Sequence, residues 1–406
     1  MAEAGTPPSA PPIRGFKGLN NRTDPTALGP AWQLTADNVL SDNAGYLVRR
    51  PGYSAVLTDI TDAYGTKDGR LFVVSSSDVL YEVSADGGMI QRAVGFSGGP
   101  FSWAELGYAL FAMSDVASWC VYPDRVVAWG IPAMASPAIE VTGGNLPVGT
   151  YLVATALEAS DGRIGGITGV ATLVQDGSQG FIAHSDPVTG YTTRLYLSAP
   201  DGKDLYYAGK FSGATFTITS LPTEGPLLET SHAYPPPLGG IISSHGNRMA
   251  VGVWEPEHDR SVIYWSLADA PHRFDIEADY QILPGKITML IDVAGGLLIG
   301  TDRAIYVASV GAPAQTIAAF GALPDTAQHI NYGQVAFWTE RGLAIYPPFS
   351  LSTDAAIIPD NRTLSSGAIL GLSGSAYYVI SQRGERRIKQ ITPYVPLSVT
   401  TTPINT

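Results

Sequence analysis

Residues 283–310 read LPGKITMLIDVAGGLLIGTDRAIYVASV, and this stretch decides the fold. Three apolar runs, at 287–293, 296–299 and 304–310, are rich in Ile, Val, Leu and Tyr and are separated by short turns that contain Gly or Asp. Runs of this length and composition, broken at turn residues, are typical of strands in an antiparallel meander. Three or four such strands in about thirty residues make one blade of a β-propeller, or one and a half hairpins of a β-sandwich.

Similar units occur on both sides of this stretch. Residues 67–94 and 101–130 repeat the pattern of β-branched or aromatic strands joined by polar turns, and the pattern resumes from 239 onward. Repetition at intervals of roughly 20–50 residues is the sequence signature of a propeller or a related array. The sequence therefore predicts an all-β protein whose main domain is a β-propeller of six or seven blades.

Residues 139–235 follow a different pattern, with six or seven shorter strands in roughly a hundred residues. This pattern predicts an inserted β-sandwich of the fibronectin-type-III or immunoglobulin type, closed by the stiff hinge YPPP at 234–237. The predicted division of the chain is an extended N-terminal arm at 1–45, a first part of the propeller at 46–138, the inserted sandwich at 139–235, a second part of the propeller at 236–394 and a C-terminal tail at 395–406.

The composition narrows the possible classes of function. Acidic residues outnumber basic ones by 36 to 24, for a formal net charge of −12. This balance argues against a surface that grips the phosphate backbone, but not against a channel through which DNA passes. Cys120 is the only cysteine, so an intrachain disulfide is impossible. Residues 1–12 lack the features of a signal peptide, and no apolar run is long enough to span a membrane, so we expect a soluble product.

The sequence contains no recognisable catalytic or metal-binding pattern. The six histidines do not occur at zinc-ligand spacing, and the Asp-Gly pairs lack the alternating ligands of a calcium loop. His258, beside Glu255, Glu257 and Asp259, suggests either a general-base or cation site or a solvated loop, and we favour the loop. The GFSGG run at 95–99 is followed by Pro and a strand-like run, not by the helix of a nucleophile elbow. We therefore predict no catalytic residue, no metal and no cofactor.

The tryptophans lie mostly within apolar strands, where they predict core packing in preference to a sugar-binding platform. Apart from Trp32 in the N-terminal arm, they are Trp103, Trp119, Trp129, Trp254, Trp265 and Trp338. A carbohydrate-binding or glycoside-cleaving propeller with an accessory sandwich is the alternative function. Cleavage would need paired carboxylates across a cleft, with Glu255 and Asp275 as candidates.

The N-terminal segment carries a family resemblance. GFKGLNNRTDPTAL at 15–28, followed by RRPGY at 49–53, resembles the amino-terminal signature of the tail-hub or tail-nozzle proteins of short-tailed bacteriophages. The resemblance is strongest over 15–53 and returns more loosely over 236–346. In that family the opening segment leads into a β-propeller, and several copies form a ring below the portal and adaptor.

The resemblance places the candidate interface residues in the arm and at its end. They are Phe16, Asn20, Asn21, Arg22, Trp32, Arg49, Arg50 and Tyr53. The pair Arg49-Arg50 suits charge-assisted bonds to a carboxylate, either in a structural salt bridge or in a contact with a neighbouring subunit.

The function that the resemblance implies is structural. The expected protein is a virion tail subunit in a ring, a homohexamer, that extends the portal channel, retains the genome and conducts it during ejection. Its expected partners are other copies of itself, the adaptor or another portal-proximal protein, tail fibres, and genomic DNA that passes through the lumen without specific binding. It would be made and assembled in the host bacterial cytoplasm and end in the virion tail. A position at the tail tip or as a stopper is a variant of the same class.

Overall fold

The computed structural model describes residues 59–351, apart from 85–86, 224, 231 and 330–332, together with the backbone of seven strands outside this range. The chain forms two compact units. The first unit comprises Met1–Gly65, Pro284–Ser309 and Pro313–Thr406, and the second comprises Thr66–Leu283 and Val310–Ala312.

Strands and turns make up the described part of the chain, which contains no α-helix. A short 3-10 turn forms at Pro256–His258. Among the described residues, no helix is long and apolar enough to cross a membrane.

The strands before residue 130 are two to six residues long. They are β1 (Gly18–Leu19), β2 (Trp32–Gln33), β3 (Val39–Ser41), β4 (Leu47–Arg49), β5 (Ile60–Gly65), β6 (Leu71–Ser75), β7 (Val79–Val83), β8 (Met89–Val94), β9 (Ser102–Leu106), β10 (Ala109–Met113), β11 (Ser118–Val121) and β12 (Val126–Ala128). β1 pairs with β2 in parallel, and β3 pairs with β4 antiparallel. In the second unit, β6, β7 and β8 are antiparallel neighbours, and β9 to β12 form a four-stranded antiparallel meander in chain order.

Two further sheets of the second unit are not in chain order. Their strands are β13 (Ala138–Gly143), β14 (Gly149–Ala159), β15 (Ala171–Gln175), β16 (Gln179–His184), β17 (Tyr191–Ser198), β18 (Leu205–Phe211) and β19 (Thr215–Ile218). One sheet has the order β13-β16-β19 and the other β15-β14-β17-β18. Tyr151 and Leu195 of the second sheet share a buried cluster with Phe181 and Ile218 of the first. The two sheets therefore have a common core, while the fibronectin or immunoglobulin type and the domain borders stay predictions.

The meander pattern resumes after residue 240. The strands are β20 (Ile241–His245), β21 (Arg248–Glu255), β22 (Arg260–Leu267), β23 (Ala270–Phe274), β24 (Tyr280–Pro284), β25 (Ile287–Val293), β26 (Gly296–Thr301), β27 (Ile305–Ala308), β28 (Gln315–Ala318), β29 (Gln328–His329), β30 (Val335–Thr339), β31 (Gly342–Tyr346), β32 (Ser350–Leu351), β33 (Leu364–Leu372), β34 (Ser375–Gln382) and β35 (Ile388–Gln390). β20 to β23 are in chain order, with β24 paired to β22. In the first unit, β25 to β28 and β29 to β32 are four-stranded sheets in chain order, and β33 to β35 form a three-stranded one.

The inner strands of these meanders are buried on both faces. Every residue of β10, β26 and β30 is buried, whereas β8 and β28 at sheet edges are largely exposed. Because successive side chains of a strand point to opposite faces, such sheets must be covered on both sides. In the second unit, Phe111 of β10 and Val251 of β21 lie in one core cluster. In the first unit, Leu298 of β26 and Phe337 of β30 do the same.

These observations confirm the all-β class and the four-stranded, chain-order sheet that defines a propeller blade. The number of six or seven blades stays a prediction. Trp129, Trp265 and Trp338 are almost fully buried, which confirms core packing for these three side chains.

Candidate functional site

The predicted interface residues fall mostly outside the described part of the chain. Trp32 and Arg49 lie on β2 and β4, for which the structure describes the backbone alone. The others lie outside the described residues; they are Phe16, Asn20, Asn21, Arg22, Arg50 and Tyr53. A candidate site in the described part therefore has to be found from its own contacts.

The side chain of Arg163 is the centre of the most connected polar cluster. It lies after the turn that follows β14, and its Nε is 2.8 Å from Oδ2 of Asp161. Its Nη1 donates to the carbonyl of Trp129 at 2.7 Å, and its Nη2 donates to the carbonyl of Ala128 at 3.0 Å. The Arg163 and Asp161 side chains are only 13% and 9% exposed. We call Asp161, Arg163 and these two carbonyls the Arg163 clamp.

We call the two packed sheets formed by β13 to β19 the two-sheet module. The clamp holds Ala128 and Trp129, in the segment that precedes this module. Burial raises the pKa of Asp161, but the hydrogen bonds from the Arg163 side chain and backbone outweigh it, and the pKa lies below its ordinary value. The carboxylate therefore stays charged and paired at neutral pH. The Arg163 guanidinium donates to a carboxylate and two carbonyls at once, through Nε, Nη1 and Nη2. We therefore interpret the clamp as a structural tie within the fold.

Close backbone packing surrounds the clamp. A Cβ added at Gly130 would collide with Pro235 and Pro236, and one at Gly166 would collide with the carbonyl of Ala233. Tyr234 and Phe274 exchange two backbone hydrogen bonds, of 2.9 and 3.0 Å. The segment at 234–237, which the sequence predicts to be a hinge, is therefore packed against its neighbours.

Three ionisable groups near the clamp are held in their neutral forms at pH 7. Burial raises the pKa of the Cys120 thiol to about 11. Burial, followed by a hydrogen bond with Cys120, raises the pKa of Tyr122. Burial, followed by repulsion from Arg163 and Arg273, lowers the pKa of His272 to about 4. The cluster thus contains neither a thiolate nor a protonated imidazole at neutral pH.

Two turns lie next to each other at one end of the β9–β12 sheet. The two-residue turn Gly107-Tyr108 joins β9 to β10, and the turn from Tyr122 to Arg125 joins β11 to β12. Because the strands alternate in direction, both turns lie at the same end. The ring centroids of Tyr108 and Tyr122 are 5.9 Å apart, and the Arg125 guanidinium lies 4.6 Å from the Tyr122 centroid. We call Tyr108, Tyr122, Asp124 and Arg125 the tyrosine platform.

An arginine of the neighbouring meander holds the second turn in place. Nη2 of Arg92, on β8, donates to the carbonyls of Tyr122 at 2.8 Å and Pro123 at 2.6 Å. Arg92 is itself paired with Glu82 at 3.3 Å, and both side chains are largely buried. These hydrogen bonds therefore hold the backbone of the turn from Tyr122 to Arg125 in place.

The charged residues that the sequence suggested for catalysis make local structural contacts. Oε2 of Glu255 lies 2.7 Å from Nε of Arg260 and 3.7 Å from Nδ1 of His258. Oδ1 of Asp275 accepts hydrogen bonds from the backbone of Glu277 and Ala278. In the part of the chain that the structure describes, no group of three or more His, Cys, Asp or Glu side chains is placed to hold a metal ion.

The Arg163 clamp could not be predicted from the sequence. Ser160-Asp161-Gly162 has the composition of a turn, but nothing local indicates a role for the arginine that follows it. The carbonyls that Arg163 binds are 34 and 35 residues away in the chain, so no local pattern indicates them. The closest that the sequence comes to a signal is the pair Asp161–Arg163 beside Gly165-Gly166, where glycines allow another segment to approach closely.

Comparisons with known proteins give no family. No family model matches the chain, and no curated protein matches its sequence. Among solved structures, the Dos1 propeller is 9% identical, covers 88% of this chain and 82% of its own, and has a TM-score of 0.34. The WD40 β-propeller domain of Doa1 is 10% identical, covers 82% and 93%, and has a TM-score of 0.26. Similarities at these TM-scores carry no argument about function, and the fold class rests on the strand order described above.

Proposed function

We propose that this chain is a virion structural protein, a ring subunit in the hub or nozzle of a short phage tail. The ring would extend the portal channel, retain the genome and conduct it during ejection. The observation that carries the proposal is the resemblance of residues 15–53, GFKGLNNRTDPTAL through RRPGY, to the amino-terminal signature of those proteins. The clamp and the surrounding packing are consistent with a structural role.

The proposed role requires a wall that keeps its shape while DNA moves past it. In the second unit, the base of the two-sheet module has little freedom to move. The Arg163 clamp holds it, and the backbone at Gly130 and Gly166 packs too closely on its neighbours to admit a Cβ. With a net charge of −12, the subunit on average repels the phosphate backbone, which suits a channel through which DNA passes without being bound. Residues 13–50 of the N-terminal segment would bind the adaptor or the next subunit.

The test is the oligomeric state of the purified full chain together with its presence in virions. We expect analytical ultracentrifugation to give a mass of several subunits, six in the hexamer, and negative-stain electron microscopy to show rings. An antibody should detect the protein in purified particles. A strict monomer at every concentration, missing from particles, overturns the proposal.

The pair Arg49-Arg50 provides a sharper version of this test. If the pair contacts a neighbouring subunit, Arg49→Ala with Arg50→Ala reduces the ring fraction and leaves the melting temperature of the monomer unchanged. If the pair forms an internal salt bridge, the melting temperature falls. Arg70→Ala is the control, because Arg70 pairs locally with Asp68 at 2.8 Å and both side chains are partly exposed.

A further inference from the structure

The tyrosine platform presents an aromatic side chain that the fold does not use. Tyr108 is 73% exposed, at the tip of a two-residue turn whose first residue, Gly107, has a φ of 61°. A tight turn of this kind accepts many small polar residues at its second position. A large aromatic ring there adds little to the core, so its free face is available to a ligand.

The second ring of the platform is held rigidly. Arg125 covers one face of Tyr122, and the Tyr122 side chain is partly buried against the core cluster that contains Cys120. Arg92 binds the carbonyl of the same residue. The planes of Tyr108 and Tyr122 meet at 43°, so the two rings form a shallow corner instead of a flat stack. A corner fixed before binding loses less conformational entropy when a ligand arrives.

Polar groups border this corner. Asp124 and Arg125 are paired at 3.0 Å, and their side chains are 69% and 46% exposed. The pair therefore offers carboxylate acceptors and guanidinium donors next to the rings. Aromatic faces with a few placed donors and acceptors suit a ligand that has one apolar face and a rim of hydroxyl groups.

We propose that Tyr108, Tyr122, Asp124 and Arg125 form a binding site for a neutral saccharide. The C–H face of a pyranose ring stacks on Tyr108, and its hydroxyls bond to the Asp124–Arg125 pair. The net charge of −12 disfavours a polyanionic ligand, so a neutral sugar is the class that fits. This site goes beyond the proposed ring function and does not depend on ring assembly.

The test is saturation-transfer-difference NMR of the full chain with three neutral glycans, maltoheptaose, a mannose oligomer and an N-acetylglucosamine oligomer. We expect at least one to receive saturation, and Tyr108→Ala to weaken its affinity by about 10-fold or more. Tyr280→Ala is the matched control. Tyr280 is also an exposed tyrosine, at 44%, paired with another ring at 6.3 Å, yet it lies on β24 away from the platform turns. That variant should keep the affinity within about 2-fold.

Because Tyr108 is exposed, its substitution should leave the melting temperature unchanged, and loss of binding can then be assigned to the site. No saturation transfer to any of the three glycans overturns the proposal. Equal affinities for the native chain and Tyr108→Ala also overturn it. If Tyr108→Ala instead lowers the solution mass and no glycan binds, the platform contacts a second copy and the saccharide assignment is wrong. Ring formation by the native chain is measured separately, so failure of this site leaves the proposed function intact.

Discussion

At the level of single residues, Arg163 is the side chain on which the base of the two-sheet module depends most. Arg163→Ala removes the ion pair and leaves a mostly buried carboxylate and two carbonyls without their donor. We expect it to lower the free energy of unfolding by about 3 kcal/mol. Urea denaturation followed by tryptophan fluorescence measures the change.

The control for this prediction is Arg70→Ala, which breaks a more exposed pair with Asp68 and should cost about 1 kcal/mol or less. If Arg163→Ala and Arg70→Ala lower the free energy of unfolding equally, the Arg163 clamp stabilises the fold no more than an exposed ion pair does.

His272 makes stability depend on pH in a defined window. Its pKa is about 4 in the folded chain, against an ordinary value of 6.5, so the unfolded chain binds more protons between these values. Stability therefore falls as pH drops from 6.5 toward 4, by at most about 3 kcal/mol. Arg163 and Arg273 oppose the charged form, and Asp161 favours it.

The measurement is the urea midpoint at a series of pH values between these two limits. His272→Gln should flatten the dependence in this window. An unchanged slope in His272→Gln would contradict the assignment.

Gln175 is a buried amide whose two polar side-chain atoms have no hydrogen-bond partner among the residues that the structure describes, and the residue is 2% exposed. Replacing a buried, unpaired polar group by an apolar one of similar size removes a desolvation penalty. Gln175→Leu should leave the free energy of unfolding unchanged or raise it by up to about 1 kcal/mol, which urea denaturation measures.

Ser198 in the same module is the matched comparison, since it is also 2% exposed but fully bonded. Its Oγ accepts from the Leu152 backbone and donates to the Ala199 carbonyl, both at 2.9 Å. Ser198→Ala should cost about 1–2 kcal/mol. If Gln175→Leu destabilises as much as Ser198→Ala, the amide has a partner in solution.

At the scale of elements, the close contact between the loop at 164–168 and the segment at 232–236 depends on glycine. Gly166→Ala would place a Cβ against the Ala233 carbonyl, which is backbone and cannot rotate away. We expect a loss of about 2 kcal/mol in the urea midpoint analysis. Gly143→Ala is the control, because a Cβ at Gly143 meets no atom within 4 Å. A neutral Gly166→Ala would mean that the two segments separate easily.

The meander strands could be predicted from the sequence because their signal is local. The three runs at 287–310 fold as β25, β26 and β27, within two residues of the predicted limits. β28, with the sequence QTIA, was missed because it is short and lies at an exposed edge, where apolar residues are not needed. β13 was missed for the same reason, since most of its residues are exposed.

The candidate sites were harder to predict because they are made of distant residues. The sequence places Tyr108 and Tyr122 in separate turns, and only the alternation of β9 to β12 brings both turns to one end of the sheet. Arg92 reaches the same turn from another meander, 30 residues away. Long-range register of this kind has no signature in composition or periodicity.

At the scale of the whole molecule, the net charge of −12 predicts weak interaction with nucleic acid. We expect no change in the fluorescence anisotropy of a labelled DNA duplex at about 100 mM salt, because binding there depends on released counterions from basic contacts. A duplex bound with a dissociation constant below about 10 µM would contradict a channel that conducts DNA without holding it.

The position of Cys120 makes the chain its own reporter of structural opening. It is the only thiol, it is 1% exposed, and it lies on β11 within the core shared by the β9–β12 and β20–β23 sheets. A thiol-reactive dye can modify Cys120 only when these sheets separate. The labelling rate therefore measures how often this part of the core opens. If the chain forms the proposed ring, the same reaction run before and after dissociation of the ring measures how far ring formation slows the opening of this core.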